Sequence, residues 1–186
     1  VEEANINGVP TIAEFFNVKT AKRITELSGR AGLIIANNVI AHVEDLYDFI
    51  GGIEVILDEE GVFIVECQYL PYLLFNNQFD NIYHDHRSFF SLASLVALFK
   101  ETKLEIFDVE EHDTQGGSVR LFISRKGKKQ LTKRVKNAIE EENRMGIKEI
   151  NTYLGFQARI EYIRIKLNRL LKELKSQNKK IAGYGA

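Results

Sequence analysis

An α/β fold that closes on an antiparallel hairpin and then passes into a long helical connector is what this sequence predicts. Three observations predict it. Residues 31–39 and 61–67 are apolar runs without alternation, the pattern of strands buried on both faces, and residues 43–57 between them repeat apolar side chains at helical spacing. Residues 104–111 and 118–126 do alternate, around the turn-forming His112-Asp113-Thr114-Gln115-Gly116-Gly117, which reads as a hairpin. Residues 128–180 are rich in Lys, Arg and Glu, with Tyr153, Phe156, Ile160, Ile163, Leu167, Leu170, Leu171 and Leu174 at helical spacing.

Taken in order, residues 1–7 read as the tail of a helix, with Gly8-Val9-Pro10-Thr11-Ile12 as its stop and a short extended piece. Residues 20–27 form a helix ended by Ser28-Gly29. The first apolar run ends in polar Asn37-Asn38 and the second in Glu66 and Gln68, and the helix between them makes the pair a right-handed parallel unit. Ligands of open α/β sheets lie beyond the carboxyl ends of the strands, so Asn37, Asn38 and His42 stand where a cofactor or substrate is expected. A helix cap and a surface histidine are the competing reading of the same residues. Asp58-Glu59-Glu60-Gly61 stops the helix of residues 43–57, and residues 89–102 form another, with Leu92, Leu95, Val96, Leu98 and Phe99 inward. The charged stretch is one helix, or two with a break at Gly146 or Gly155, and residues 181–186 read as a strand entering a glycine turn.

With 186 residues, 45% of them hydrophobic, and a net charge of −1, the chain suits one core, or a domain with an appendage. That balance is not a polycation's. The apolar stripe of the charged stretch favours a core or partner interface, so no nucleic-acid partner is expected. A single cysteine, Cys67, excludes an internal disulfide and a thiolate zinc cluster, in keeping with a cytoplasmic location. The acidic start does not resemble a signal peptide and no run approaches the ~20 apolar residues of a membrane span, so no membrane partner is expected either. A first residue other than Met, and a last segment that reads like the start of a new unit, lead us to expect a fragment of a longer protein.

Proton chemistry concentrates in Tyr83-His84-Asp85-His86, which holds two of the four histidines. In an extended chain His84 and His86 share one side and Tyr83 and Asp85 the other; in a turn all four converge. Three chemistries fit. Two histidines and a carboxylate suit zinc or iron, with His42 or His112 as a further ligand. An imidazole can serve as general base while a carboxylate or phenol orients it or stabilises an oxyanion. A polar loop with local hydrogen bonds is the third.

Four separated motifs then carry a resemblance: Asn37-Asn38-Val39-Ile40-Ala41-His42-Val43, Asp80-Asn81-Ile82-Tyr83-His84-Asp85-His86, Gln115-Gly116-Gly117-Ser118-Val119-Arg120 and Gly183-Tyr184-Gly185-Ala186. In this order they resemble the S-adenosylmethionine-dependent sugar C-methyltransferases, which methylate a ring carbon of nucleotide-linked keto-sugars in deoxysugar pathways. The resemblance implies that residues 1–127 are the C-terminal part of a Rossmann-like methyltransferase core, residues 128–180 a helical connector and residues 181–186 the start of a second α/β domain. It implies S-adenosylmethionine beside Asn37 and Asn38, a nucleotide-sugar substrate, and active-site positions at His42, Tyr83, Asp85 and His86. Zinc is implied only for a cysteine-rich domain outside this chain. Asp85 stands where the family pattern has glutamate. The family's glycine-rich loop and ribose-holding acid have no counterpart in these residues, so the 186 residues alone are expected to bind the cofactor poorly and to be inactive.

Carbon methylation requires a base to remove the proton beside the ketone before the enolate attacks a sulfonium methyl. The expected roles are His86 as base, Asp85 as its orienter, and Tyr83 or His42 as hydrogen-bond partner of the enolate oxygen. A non-catalytic methyltransferase-like module acting in assembly or partner binding is the alternative. Self-association through an exposed sheet edge or the long helix is expected of the isolated chain.

Overall fold

The computed structural model describes residues 1–184. Local capping chemistry sets the helix boundaries. Helix α1 spans Glu2–Ile6 and α2 Val18–Ser28, where the Asn17 side chain accepts from the Thr20 N–H at 2.9 Å and Gly29, at φ 79°, ends the turn. Strand β1 (Ala31–Asn37) leads through a 3-10 turn, Ile40–His42, to α3 (Leu46–Ile56), capped by Asp45 on the N–H groups of Tyr47 and Asp48. Strand β2 (Leu57–Gln68) follows, then the short α4 (Leu70–Phe75) with Pro71 in its first turn. Helix α5 (Leu92–Lys100) opens with a capping box between Ser91 and Ser94. Strands β3 (Leu104–His112) and β4 (Ser118–Arg125) precede α6 (Lys133–Arg144) and α7 (Ile150–Ser176).

The four strands make a mixed sheet in the order β1-β2-β4-β3. The parallel β1–β2 pair and the antiparallel β3–β4 hairpin are both as expected. The hairpin's second strand, however, inserts against β2 and pushes β3 to the edge. Phe63, Val65 and Cys67 of β2 lie opposite Ile123, Leu121 and Val119 of β4, and these six buried side chains form the sheet's half of a core completed by Phe49, Ile50 and Ile53 of α3 and Leu92, Leu95 and Phe99 of α5. Burying each such side chain is worth about 1.5–3 kcal/mol. Glu142 of α6 lies in this interior, 1% exposed, and its two carboxylate oxygens accept the Leu92 and Ala93 N–H groups at 2.5 and 2.9 Å.

Three expectations change and one open alternative is resolved. Strand β1 is buried on one face only: Ala36 packs inward while Leu33 and Ile35 are 56% and 59% exposed. Among the described residues its one neighbouring strand is β2, and an unbroken apolar run looks the same in sequence whether its second face is covered or open. Residues 58–60, expected as a stop, lie within β2, because Leu57 already pairs with Ala31 and a bulge absorbs the residues before Val62 meets Leu33. Helix α4, absent from the sequence reading, buries Leu73 and Leu74 against Ile147 and α7. The charged stretch breaks at Gly146, which has φ 68°, while Gly155 stays inside α7.

The first part of α7 is tied down by Arg159, which donates to the Leu74 carbonyl at 2.7 Å and to Asn77 at 2.8 Å. Beyond it Tyr162, Ile165, Leu167 and Leu170 are each at least half exposed. Residues 181–184 form no regular element, and the rest of the strand expected there, Gly185 and Ala186, lies outside the described residues. Among the described residues no helix is long and apolar enough to cross a membrane.

Candidate active site

At the carboxyl ends of β1 and β2 lies a cavity of about 530 Å³, lined by Asn38, His42, Gln78, Asp80, Asn81, Tyr83, His86, Gln115 and Gly116. Its volume falls in the range of small-molecule sites, and its position is the one open α/β sheets use for ligands. Three segments converge on it. The Ile40–His42 turn supplies His42. The irregular chain after the 3-10 turn Phe79–Asn81 supplies Tyr83 and His86. The 3-10 turn Thr114–Gly116 of the hairpin supplies Gln115.

The first two segments are stitched together by backbone. The N–H groups of Arg87 and Ser88 both donate to the Ala41 carbonyl, at 2.9 and 3.2 Å, which brings the His42 and His86 rings to 5.0 Å between centroids. Both imidazoles have their tautomer set by a main-chain carbonyl. His86 Nδ1 lies 2.9 Å from the Asn81 carbonyl and His42 Nδ1 lies 2.8 Å from the Asp85 carbonyl. A carbonyl oxygen only accepts, so each Nδ1 carries the proton and each Nε2 of the neutral ring is a bare lone pair. The Tyr83 hydroxyl, 3.1 Å from His86 Nε2, therefore donates to it, and the two rings lie 4.3 Å apart between centroids, tilted by 42°.

Tyr83-His84-Asp85-His86 is thus a turn, closed by the His86 N–H on the Tyr83 carbonyl, but only part of it converges. His84, with 89% of its side chain exposed, pairs outward with the Asp85 carboxylate at 3.2 Å. What holds the His86 ring is the Asn81 carbonyl, while Asp85 acts on His42 through its main chain. Asn38 lines the cavity with φ 54°, its N–H taken by the Glu66 carbonyl, whereas Asn37 sits on the exposed side of β1. His112 lies at the end of β3 beside Glu110, and among the described residues no three His, Cys, Asp or Glu side chains stand together as a metal site. Cys67 is buried, and its burial, with Glu66 next to it, pushes the thiol up to about 12, so it stays protonated at neutral pH.

The lining residues to which the sequence assigned no role are Gln78, Asp80, Asn81, Gln115 and Gly116, and of these only Gln78 lies outside the motifs quoted above. Gln78 Nε2 donates to the Gly116 carbonyl at 2.6 Å, and Asn81 contributes only its carbonyl. A group that acts through its backbone leaves no side-chain signal. Gln115, with φ 52°, stands in one of the motifs already singled out for resemblance.

Residues 113–186 match the family described as C-methyltransferase C-terminal domain. Over 184 residues the chain is 36% identical to C-methyltransferase NovU of Streptomyces niveus, an overlap of 98% of this chain and 44% of that protein, so the chain spans less than half of its relative's length. Both matches bear out the C-methyltransferase part of the motif resemblance. Among solved structures, a SAM-dependent methyltransferase from Anabaena variabilis ATCC 29413 superposes with a TM-score of 0.47 and 13% identity, covering 62% of this chain and 58% of that one. Magnesium protoporphyrin IX methyltransferase (ChlM) from Synechocystis PCC 6803 superposes with a TM-score of 0.42 and 16% identity, covering 55% and 48%. At TM-scores under 0.5 these two overlaps carry no weight in assigning function.

Proposed function

We propose that the protein carrying this chain methylates a carbon beside the ketone of a nucleotide-linked sugar, and that the cavity at the ends of β1 and β2 removes the proton that must leave first. The observation that carries this reading is the pair of imidazoles with Nδ1 protonated and Nε2 unprotonated on one cavity wall, His86 Nε2 holding the Tyr83 phenol. The lining suits a polar, hydroxyl-bearing substrate, since Asn38, Gln78, Asn81 and Gln115 are amides. S-adenosylmethionine, when bound, supplies an electrophilic sulfonium methyl. Of the two asparagines expected beside that ligand, Asn38 lines the cavity and would face it, while Asn37 lies on the exposed side of β1.

In the resting arrangement the Tyr83 proton occupies the His86 lone pair. When a ketone oxygen enters the cavity, one rotation of the phenol toward it frees Nε2 and places a donor whose bond strengthens as that oxygen becomes negative. His86 Nε2 then takes the α-proton, its Nδ1–H still held by Asn81 as the ring becomes a cation. The tautomers favour Tyr83 over His42 as the donor to the enolate, because the His42 proton is already spent on Asp85. His42 Nε2 is left to accept from a substrate hydroxyl.

The test is solvent exchange of the substrate's α-proton in the full-length protein. His86→Ala is expected to lower the exchange rate by about 10²–10⁴-fold, the usual contribution of a positioned base, and undiminished exchange would overturn the assignment.

A further inference from the structure

The Thr114–Gly116 turn is the cavity wall with the most unusual backbone. Gln115, Gly116 and Gly117 have φ of 52°, 82° and 121° in succession. Left-handed residues in series keep such a shape only where the surroundings fix it. Two side chains do so. Glu66, 6% exposed at the end of β2, accepts from Thr114 Oγ1 at 2.8 Å and from Ser118 Oγ at 3.0 Å on one oxygen, and from Arg120 Nε and Nη2 at 3.0 and 2.7 Å on the other. Gln78 Nε2 grips the far side of the turn at the Gly116 carbonyl. Gln78 also directly precedes Phe79–Asn81, and it is the Asn81 carbonyl that holds the His86 ring. A continuous line of contacts therefore runs from the sheet carboxylate through Thr114, Gly116, Gln78 and Asn81 to the imidazole.

We propose that Glu66 is a positioning residue for this site: it fixes the Thr114–Gly116 turn, and through Gln78 the turn sets where Asn81 holds His86. The inference rests on the reading of His86 as base. A purely structural role for Glu66 would confine its effects to the joining of β2 and β4 through Arg120. The positioning role extends them to a histidine that Glu66 does not touch, and it runs through the Thr114 hydroxyl, which sheet pairing does not need.

The experiment compares Glu66→Gln, Thr114→Val and Thr114→Ser in the full-length protein with isotope-labelled histidine. The first readout is the nuclear magnetic resonance signal of the His86 Nδ1 proton, which its bond to Asn81 shelters from solvent. In Glu66→Gln and Thr114→Val that proton is expected to exchange about tenfold faster or more, and in Thr114→Ser to keep the wild-type rate. The second readout is α-proton exchange of the substrate, expected to fall by about tenfold in the first two variants and to be retained in the third, in line with the cost of small misplacements in a site. An unchanged His86 signal in Thr114→Val overturns the proposal, as does loss of the signal in Thr114→Ser. If Glu66→Gln fails to fold, the two Thr114 variants decide alone. Wild-type protein without α-proton exchange would defeat the base assignment, while the His86 signal would still decide the positioning role.

Discussion

Two main-chain carbonyls determine what the histidines of this site can do. With Nδ1 of His42 and His86 each bonded to a carbonyl, both neutral rings keep a lone pair for the cavity, and in the proposed reaction the phenol of Tyr83 is the donor that turns toward the developing oxyanion. Tyr83→Phe is expected to lower kcat for methyl transfer by about 10²-fold, as removal of one oxyanion donor does, while the melting temperature of this 44%-exposed residue's variant stays near wild type. Steady-state kinetics beside a thermal melt checks both. The cluster was legible in the sequence because His42, Tyr83 and His86 carry their chemistry on side chains. The groups that orient them were not, since any residue type can lend a carbonyl. Asp85 shows the difference: its carboxylate invites an orienting role, yet it is its carbonyl that is used, on His42.

At the scale of elements, the hairpin is where side-chain fit and charge matter most. A Cβ at Gly117 would lie 2.5 Å from the Tyr72 ring, and its φ of 121° is one that other residues resist. Gly117→Ala is expected to cost about 2–4 kcal/mol in a urea titration, from overpacking together with backbone strain. Two carboxylates of the sheet depend on pH. The Arg134 guanidinium bonded to Asp108, helped by Thr132, holds that carboxyl below its ordinary range; burial opposes ionisation of Glu66, but bonds from Arg120, Thr114 and Ser118 outweigh it and lower it too. A carboxylate lowered by folding stabilises the fold above its unfolded value of about 4 and loses that contribution as pH falls through the lower folded value. The urea midpoint is therefore expected to drop on acidification below about pH 4, and less so in Arg134→Gln, which has already given up one of the two. The parallel unit and the hairpin were readable from periodicity. The insertion of β4 beside β2 was not, because the choice of strand neighbour depends on contacts distant in sequence.

At the scale of the whole molecule, the apolar surface left open among the described residues includes the Leu33 and Ile35 side of β1 and the outer stretch of α7. The 186-residue chain alone is expected to self-associate in sedimentation velocity, and the double change Leu33→Lys and Ile35→Lys to return it toward monomer with little loss of thermal stability, because neither side chain reaches the core. Sequence alone presented β1 as a strand enclosed on both sides, since hydrophobicity records what a surface needs and not whether it is met within the described residues. Glu142 has a consequence for mechanics. As a buried cap on the first N–H groups of α5, contributed by a different helix, it makes α6 a locked joint. Any swing of α6 would uncap α5, the helix that begins just after the His86 loop, so leverage on α6 is felt at the cavity's edge.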